Sequence, residues 1–177
     1  MSDLAIHERD TLVAALRARG VDYLLSDGGL GDPLSDQLLI TSLAVHEDAR
    51  LRSALSALFL LHPELTPWVV NLADTLPPEA RSELLARYMA AVYLQRFWRT
   101  RLEIYHLTTP DLPDLFSAQL GLPPADEMYG KPGLQALAEW HQSQHPVSYN
   151  RRVEYELVIE HIIASLKMHA HESAPVG

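Results

Sequence analysis

The sequence contains no cysteine, which excludes disulfides, thiol catalysis and zinc sites built on thiolates. It also lacks long apolar runs: stretches such as Ala57 to Leu61 fall far short of the roughly 20 residues a membrane-spanning helix needs. Positive charge is scarce, with 14 Lys+Arg against 23 Asp+Glu and a formal net charge of -9. An acidic chain repels a phosphate backbone at long range, so broad nucleic-acid binding is not expected. The opening MSDLAIHERD is broken by charges and does not read as a secretory signal. No internal repeat, heptad run or low-complexity block is visible. These absences point to a cytoplasmic protein without a membrane span.

What is present is an ordinary globular composition, 47% hydrophobic and 21% charged over 177 residues. That length suits one domain with a core that needs no covalent staples. Apolar residues recur at three and four rather than at two, which predicts an all-α fold. We expect an irregular bundle of six to eight helices in a single domain over residues 1–170, followed by a disordered tail at 171–177. Leu12, Val13 and Leu16 mark a first helix that ends at Gly20, and Val21 to Leu25 alone has a claim to extended structure. Asp32 as N-cap and Pro33 at the first helical position open a region that runs to Leu61, as one helix or as two divided at the polar stretch HEDAR. His62-Pro63 ends it. Thr66-Pro67 repeats the cap-then-proline pattern and opens a short helix to about Ala73. Further helices are expected over Gly133 to about Gln144 and Tyr149 to His169. Between them, residues 108–133 hold five prolines and three glycines, with one short helix around Leu112 to Leu120. So long a connector is either a packed flap or a hinge.

The organising element is a long central helix at about 78–107, opened by Pro77-Pro78-Glu79 and about 45 Å long if unbroken. Residues 81–107 carry 5 Lys+Arg against 2 Asp+Glu, whereas residues 1–80 carry 5 against 12 and residues 108–177 carry 4 against 9. Tyr88, Tyr93, Phe97, Trp98 and Tyr105 lie within it. Glu83, Arg87, Ala91, Gln95, Arg99 and Glu103 recur every four residues as its expected wet ridge, opposite Leu84, Leu85, Tyr88, Met89, Val92, Trp98, Leu102 and Tyr105. Glu83 and Arg87 form an i,i+4 pair in the favourable order. Arginine interleaved with aromatics is what protein interfaces favour. Arg96, Phe97 and Arg99 are therefore the candidate docking residues, for a second copy or for another protein.

Three patterns bear on chemistry. His141-x-x-x-His145 places two imidazoles one helical turn apart, a spacing that suits zinc or iron, but Pro146 biases His145 away from helix and no third ligand stands at a recognisable spacing. His169 and His171 read as part of a solvated tail, and Glu154, Glu156 and Glu160 as a solvated helix face. The loop Gly28-Gly29-Leu30-Gly31 lacks the Lys-Ser/Thr of a phosphate-binding loop. Its surroundings, LRARGVDYLLSDGGLGDPLSDQLLI, resemble the opening of a minimal nucleotidyltransferase. They depart from it where the metal-binding carboxylate pair belongs, since Asp36-Gln37-Leu38 supplies one carboxylate.

Arg101-x4-His106, with Arg99-x6-His106 beside it, resembles the arginine-histidine motif of the HEPN helical ribonucleases. That resemblance implies a metal-independent attack on an RNA phosphodiester, with His106 as acid or base and Arg101 stabilising the phosphorane charge. Leu102 stands where that family prefers a polar residue. The leading expectation is a non-enzymatic interaction or regulatory protein, a homodimer or the small subunit of an assembly, with no cofactor. The ribonuclease is the alternative.

Overall fold

The computed structural model describes residues 8–26 and 33–173, and within them the fold is all-α, with no strand. Nine helices follow in order: α1 (Arg9–Arg17), α2 (Asp36–Val45), α3 (Ala49–Leu61), α4 (Thr66–Ala73), α5 (Pro78–Phe97), α6 (Arg99–Ile104), α7 (Ser117–Leu120), α8 (Lys131–Gln144) and α9 (Arg151–Glu172). Seven of them are longer than six residues. The Gly28–Gly31 loop and Asp32 lie outside the described residues. Residues 21–25 are a connector rather than a strand.

Capping chemistry sets most boundaries. Ser35, not Asp32, caps α2, its hydroxyl accepting from the Leu38 amide at 3.2 Å; Pro33 precedes the helix. The region to Leu61 is two helices, because Asp48 accepts from the Arg50 amide at 2.8 Å and starts α3 afresh. A 3₁₀ turn, Pro63–Leu65, leads into α4, so Thr66 is the first residue of α4 and not its cap. Asn150 caps α9 by accepting from the Arg152 and Val153 amides. That helix runs to Glu172, past the expected start of the tail, and residues 174–177 lie outside the described set. Its end is tied down by Asp22, which accepts from Ser165 at 2.7 Å and pairs with His169 at 3.0 Å, so His169 is not a free tail residue.

The fold is packed around α5, which α3 and α8 cover most closely, with α4 and α9 beside them. Leu84 to Leu94 is buried on every side, the condition of a central rather than a surface helix. Two expectations fail here. The 78–107 segment is not one helix: Trp98 adopts φ -105, ψ 13, and separates α5 from α6. The ridge is not wet at its first four positions, because Glu83, Arg87, Ala91 and Gln95 are all buried. The physical reason is coverage. α8, α9 and the connector close over the face that α3 leaves free, and Glu83, Arg87 and Gln95 each find hydrogen-bond partners there.

The proline-rich connector is a packed strap and not a hinge. Gln95 donates to the Pro110 carbonyl at 2.9 Å and accepts from the Leu112 amide at 2.7 Å. Tyr88 and Tyr93 donate to the carbonyls of Pro113 and Pro123 at 2.8 and 2.7 Å. Its own Leu112, Phe116 and Ala125 are buried in the core. The short helix expected from Leu112 to Leu120 is only Ser117–Leu120. The strap feeds α8 through glycines that must be glycines: a Cβ on Gly130 would stand 2.8 Å from the Tyr93 carbonyl oxygen, and one on Gly133 would overlap the Tyr93 ring.

Candidate functional site

The buried ridge of α5 meets α8 and α9 in one polar network. Glu83 accepts from Arg87 Nε at 2.8 Å and from His141 Nε2 at 2.8 Å, and Arg52 Nε stands 3.4 Å away. His141 Nδ1 lies 2.6 Å from the Tyr155 hydroxyl. Arg87 reaches on to Glu154 at 3.0 Å, where Arg151 also donates at 3.0 Å. Arg151 closes the circuit by donating to the His145 carbonyl at 2.6 Å.

Burial by itself raises the Glu83 carboxyl, but the His141 hydrogen bond and the Arg87 charge outweigh it and hold Glu83 well below the usual carboxylate range. Burial pushes the His141 imidazole down to about 4, against the pull of Glu83. At neutral pH the arrangement is therefore an ionised Glu83 and a neutral His141, which donates to Glu83 through Nε2–H and accepts from Tyr155 through Nδ1. Burial also pushes the Tyr155 hydroxyl up, so it stays a donor. Arg87 Nη1, Arg151 Nε and His145 Nε2 are sealed from solvent without a hydrogen-bond partner among the described residues. The pieces resemble a proton relay, and Arg87, His141 and Tyr155 within it are wholly buried.

Two clefts flank this network. One, of about 740 Å³, lies between the first turns of α3 and α9 and residues 23–25, and reaches Glu154. The other, of about 620 Å³, reaches Glu83, Arg52, His145 and Arg151.

The expected site residues fall in different places. His141 and His145 do share an edge, with ring centroids 5.9 Å apart, and His145 leaves helical geometry as Pro146 requires (φ -136, ψ 81). Both nitrogens of His141 are taken by Glu83 and Tyr155. Among the described residues no group of three or more His, Asp or Glu is placed to hold a metal ion. Arg101 grips both oxygens of Glu160, at 2.7 and 3.3 Å, and stands over the Trp98 ring. His106 is exposed at φ 62, the left-handed residue that closes α6. Its amide bonds Glu103 and the Leu107 amide bonds Leu102, a Schellman pattern.

Arg96 is 8% exposed at its side chain and is spent internally, on Asp126, Gln95 and the Leu112 carbonyl. Phe97 is half-buried, with Arg152 over its ring, and Arg99 is exposed and paired with Asp111 at 2.9 Å. Glu154, expected on a solvated face, belongs to the buried network. The sequence signal that was available for that network is the i,i+4 pair Glu83–Arg87; nothing local to Tyr155 or Arg151 announced their part.

No helix among the described residues is long and apolar enough to cross a membrane. Comparison with known proteins returns no relative: no family model, no curated protein and no solved structure matches this chain.

Proposed function

We propose that this is a non-enzymatic interaction protein that docks through the end of the bundle where α5 meets the entry to α8. The observation that carries the reading is a run of three left-handed residues, Met128 (φ 44), Tyr129 (φ 58) and Gly130 (φ 80). Left-handed backbone costs about 1–2 kcal/mol for each residue other than glycine. Gly130 needs it for its close approach to Tyr93. Met128 and Tyr129 do not repay it inside the molecule, since they are 68% and 79% exposed. An adjacent methionine and tyrosine held out in solvent are the side chains that anchor protein contacts.

In this reading Phe97 and Arg99 extend the docking face, and Arg96 positions it, because its bond to Asp126 ties the start of the turn to α5. The partner offers an apolar socket, either in a second copy of the chain or in a larger assembly. The polar network supports the non-enzymatic side of the reading, because Arg87, His141 and Tyr155 at its centre are buried and bonded to other protein groups.

The test replaces both exposed anchors by asparagine, which tolerates left-handed backbone. Sedimentation of the pure chain and recovery of proteins bound to it from its own source are compared with the wild type. Met128→Asn with Tyr129→Asn is expected to keep its helix content and melting temperature and to lose the association. An unchanged assembly in the folded variant overturns the proposal.

A further inference from the structure

The cleft between α3 and α9 joins an apolar floor to a basic mouth. Leu24 and Val158 are buried in its floor, while Leu25, Val153 and Leu157 stand exposed along it. Tyr23 lies flat against His161 at its edge, ring centroids 4.4 Å apart and planes 9° from parallel. Val153 and Leu157 are one turn apart on α9, a stripe that nothing in the chain covers among the described residues.

At the mouth the first turns of α3 and α9 both open on the cleft, through Ala49, Arg50 and Ser53 on one side and Asn150 and Val153 on the other. Asp48 and Asn150 already cap those two N-termini, so the charge left at the mouth is that of side chains. The charges at this end do not cancel. Arg9 is matched by Asp48 at 3.1 Å. Glu154, the carboxylate among the lining residues, is held by both Arg87 and Arg151 at 3.0 Å. The exposed Arg50 guanidinium has no hydrogen bond or ion pair among the described residues. In a chain of net charge -9, an apolar cleft therefore ends on an unmatched cation.

We propose that this cleft binds an amphipathic monocarboxylate with an alkyl tail, such as a medium-chain fatty acid. The carboxylate pairs with Arg50 at the mouth, and the tail lies over Leu24, Val153 and Leu157. A neutral amphiphile leaves Arg50 unpaired, and a cationic one is repelled at the mouth. The volume of about 740 Å³ is within the range of roughly 300–1,000 Å³ that small-molecule sites occupy. None of these residues belongs to the proposed docking face, so the two readings stand or fall separately.

The experiment is calorimetric titration of the full chain with decanoate, decanol and decyltrimethylammonium, each below its micelle concentration. Decanoate is expected to bind one to one, with affinity rising about fourfold per methylene from octanoate to dodecanoate. Decyltrimethylammonium is expected not to bind. Arg50→Glu, an exposed change, is expected to weaken decanoate at least tenfold and to leave decanol unaffected. Leu157→Glu is expected to abolish binding of both, with the circular dichroism of each variant confirming a folded chain. No decanoate binding, equal binding of the ammonium, or decanoate affinity indifferent to either substitution overturns the proposal.

Discussion

His141 Nε2 lies 2.8 Å from Glu83 Oε2, although 58 residues separate the two in sequence. The contact joins α8 to α5 at the centre of the molecule, and both groups are buried. A neutral donor facing an ionised acceptor in that setting makes the fold sensitive to acid.

The pH dependence follows from the directions of the two shifts. His141 has a folded value of about 4, below its ordinary 6.5. Its contribution is therefore fully present above about pH 6.5 and is lost as pH falls from there toward 4, where only the unfolded chain takes up the proton. The loss amounts to about 3 kcal/mol. Glu83 is also held low, so its contribution persists above the usual carboxylate range and is lost below it. The melting temperature is expected to be level above about pH 7 and to fall steadily from pH 6.5 to 4. His141→Gln should flatten that slope. A wild-type melting temperature indifferent to pH over this interval refutes the assignment of a neutral His141.

Removing the imidazole altogether has a larger effect. His141→Ala takes one of the partners of Glu83 and the partner of the Tyr155 hydroxyl and leaves a cavity, so a cost of about 3–5 kcal/mol at pH 7 is expected. Chemical denaturation of the variant measures it. A loss below about 1 kcal/mol means that the network is not the hub of the core.

Gly133→Ala places a methyl group into the Tyr93 ring. With Tyr93 fully buried and bonded to Pro123, the ring has nowhere to move, and the variant is expected to lose about 2–4 kcal/mol or to fail to fold. Tyr93→Phe in the same background should recover little, since the clash is with ring carbons. Substantial recovery would locate the problem in the hydroxyl's contact with the strap.

His106 and Arg101 separate an enzyme from a helix terminus. At φ 62 the C′ position of α6 favours glycine, so His106→Gly is expected to raise stability by about 0.5–1 kcal/mol. Arg101→Ala removes an exposed pair with Glu160 and should change stability by less than about 1 kcal/mol. Neither the wild type nor the variants is expected to cleave RNA. Metal-independent cleavage by the pure protein, lost in both His106→Ala and Arg101→Ala, would place it with the helical ribonucleases.

Local chemistry made much of the architecture legible in advance. The three-and-four spacing of leucine and alanine, His62-Pro63, Pro77-Pro78 and Pro146 each act within a turn or two, so the helices and several of their ends could be read directly. The interruption at His46–Asp48 was readable as polar sequence, and the Asp48 cap on the Arg50 amide is what makes it a break. What the sequence did not disclose is which face of α5 meets water. Glu83, Arg87 and Gln95 have the spacing of a solvent-facing ridge, and that spacing is the same whether the ridge faces water or His141, Glu154 and the strap carbonyls. Periodicity reports that polar groups share a face. Only the packing of α8, α9 and residues 108–133 onto that face decides that it is inside, because the hydrogen bonds that make burial tolerable come from residues 14 to 67 positions away. The cleft mouth has the same origin. Arg50 and Val153 are unremarkable in sequence, and they become neighbours of one binding surface because the first turns of α3 and α9 are brought to the same end of the bundle.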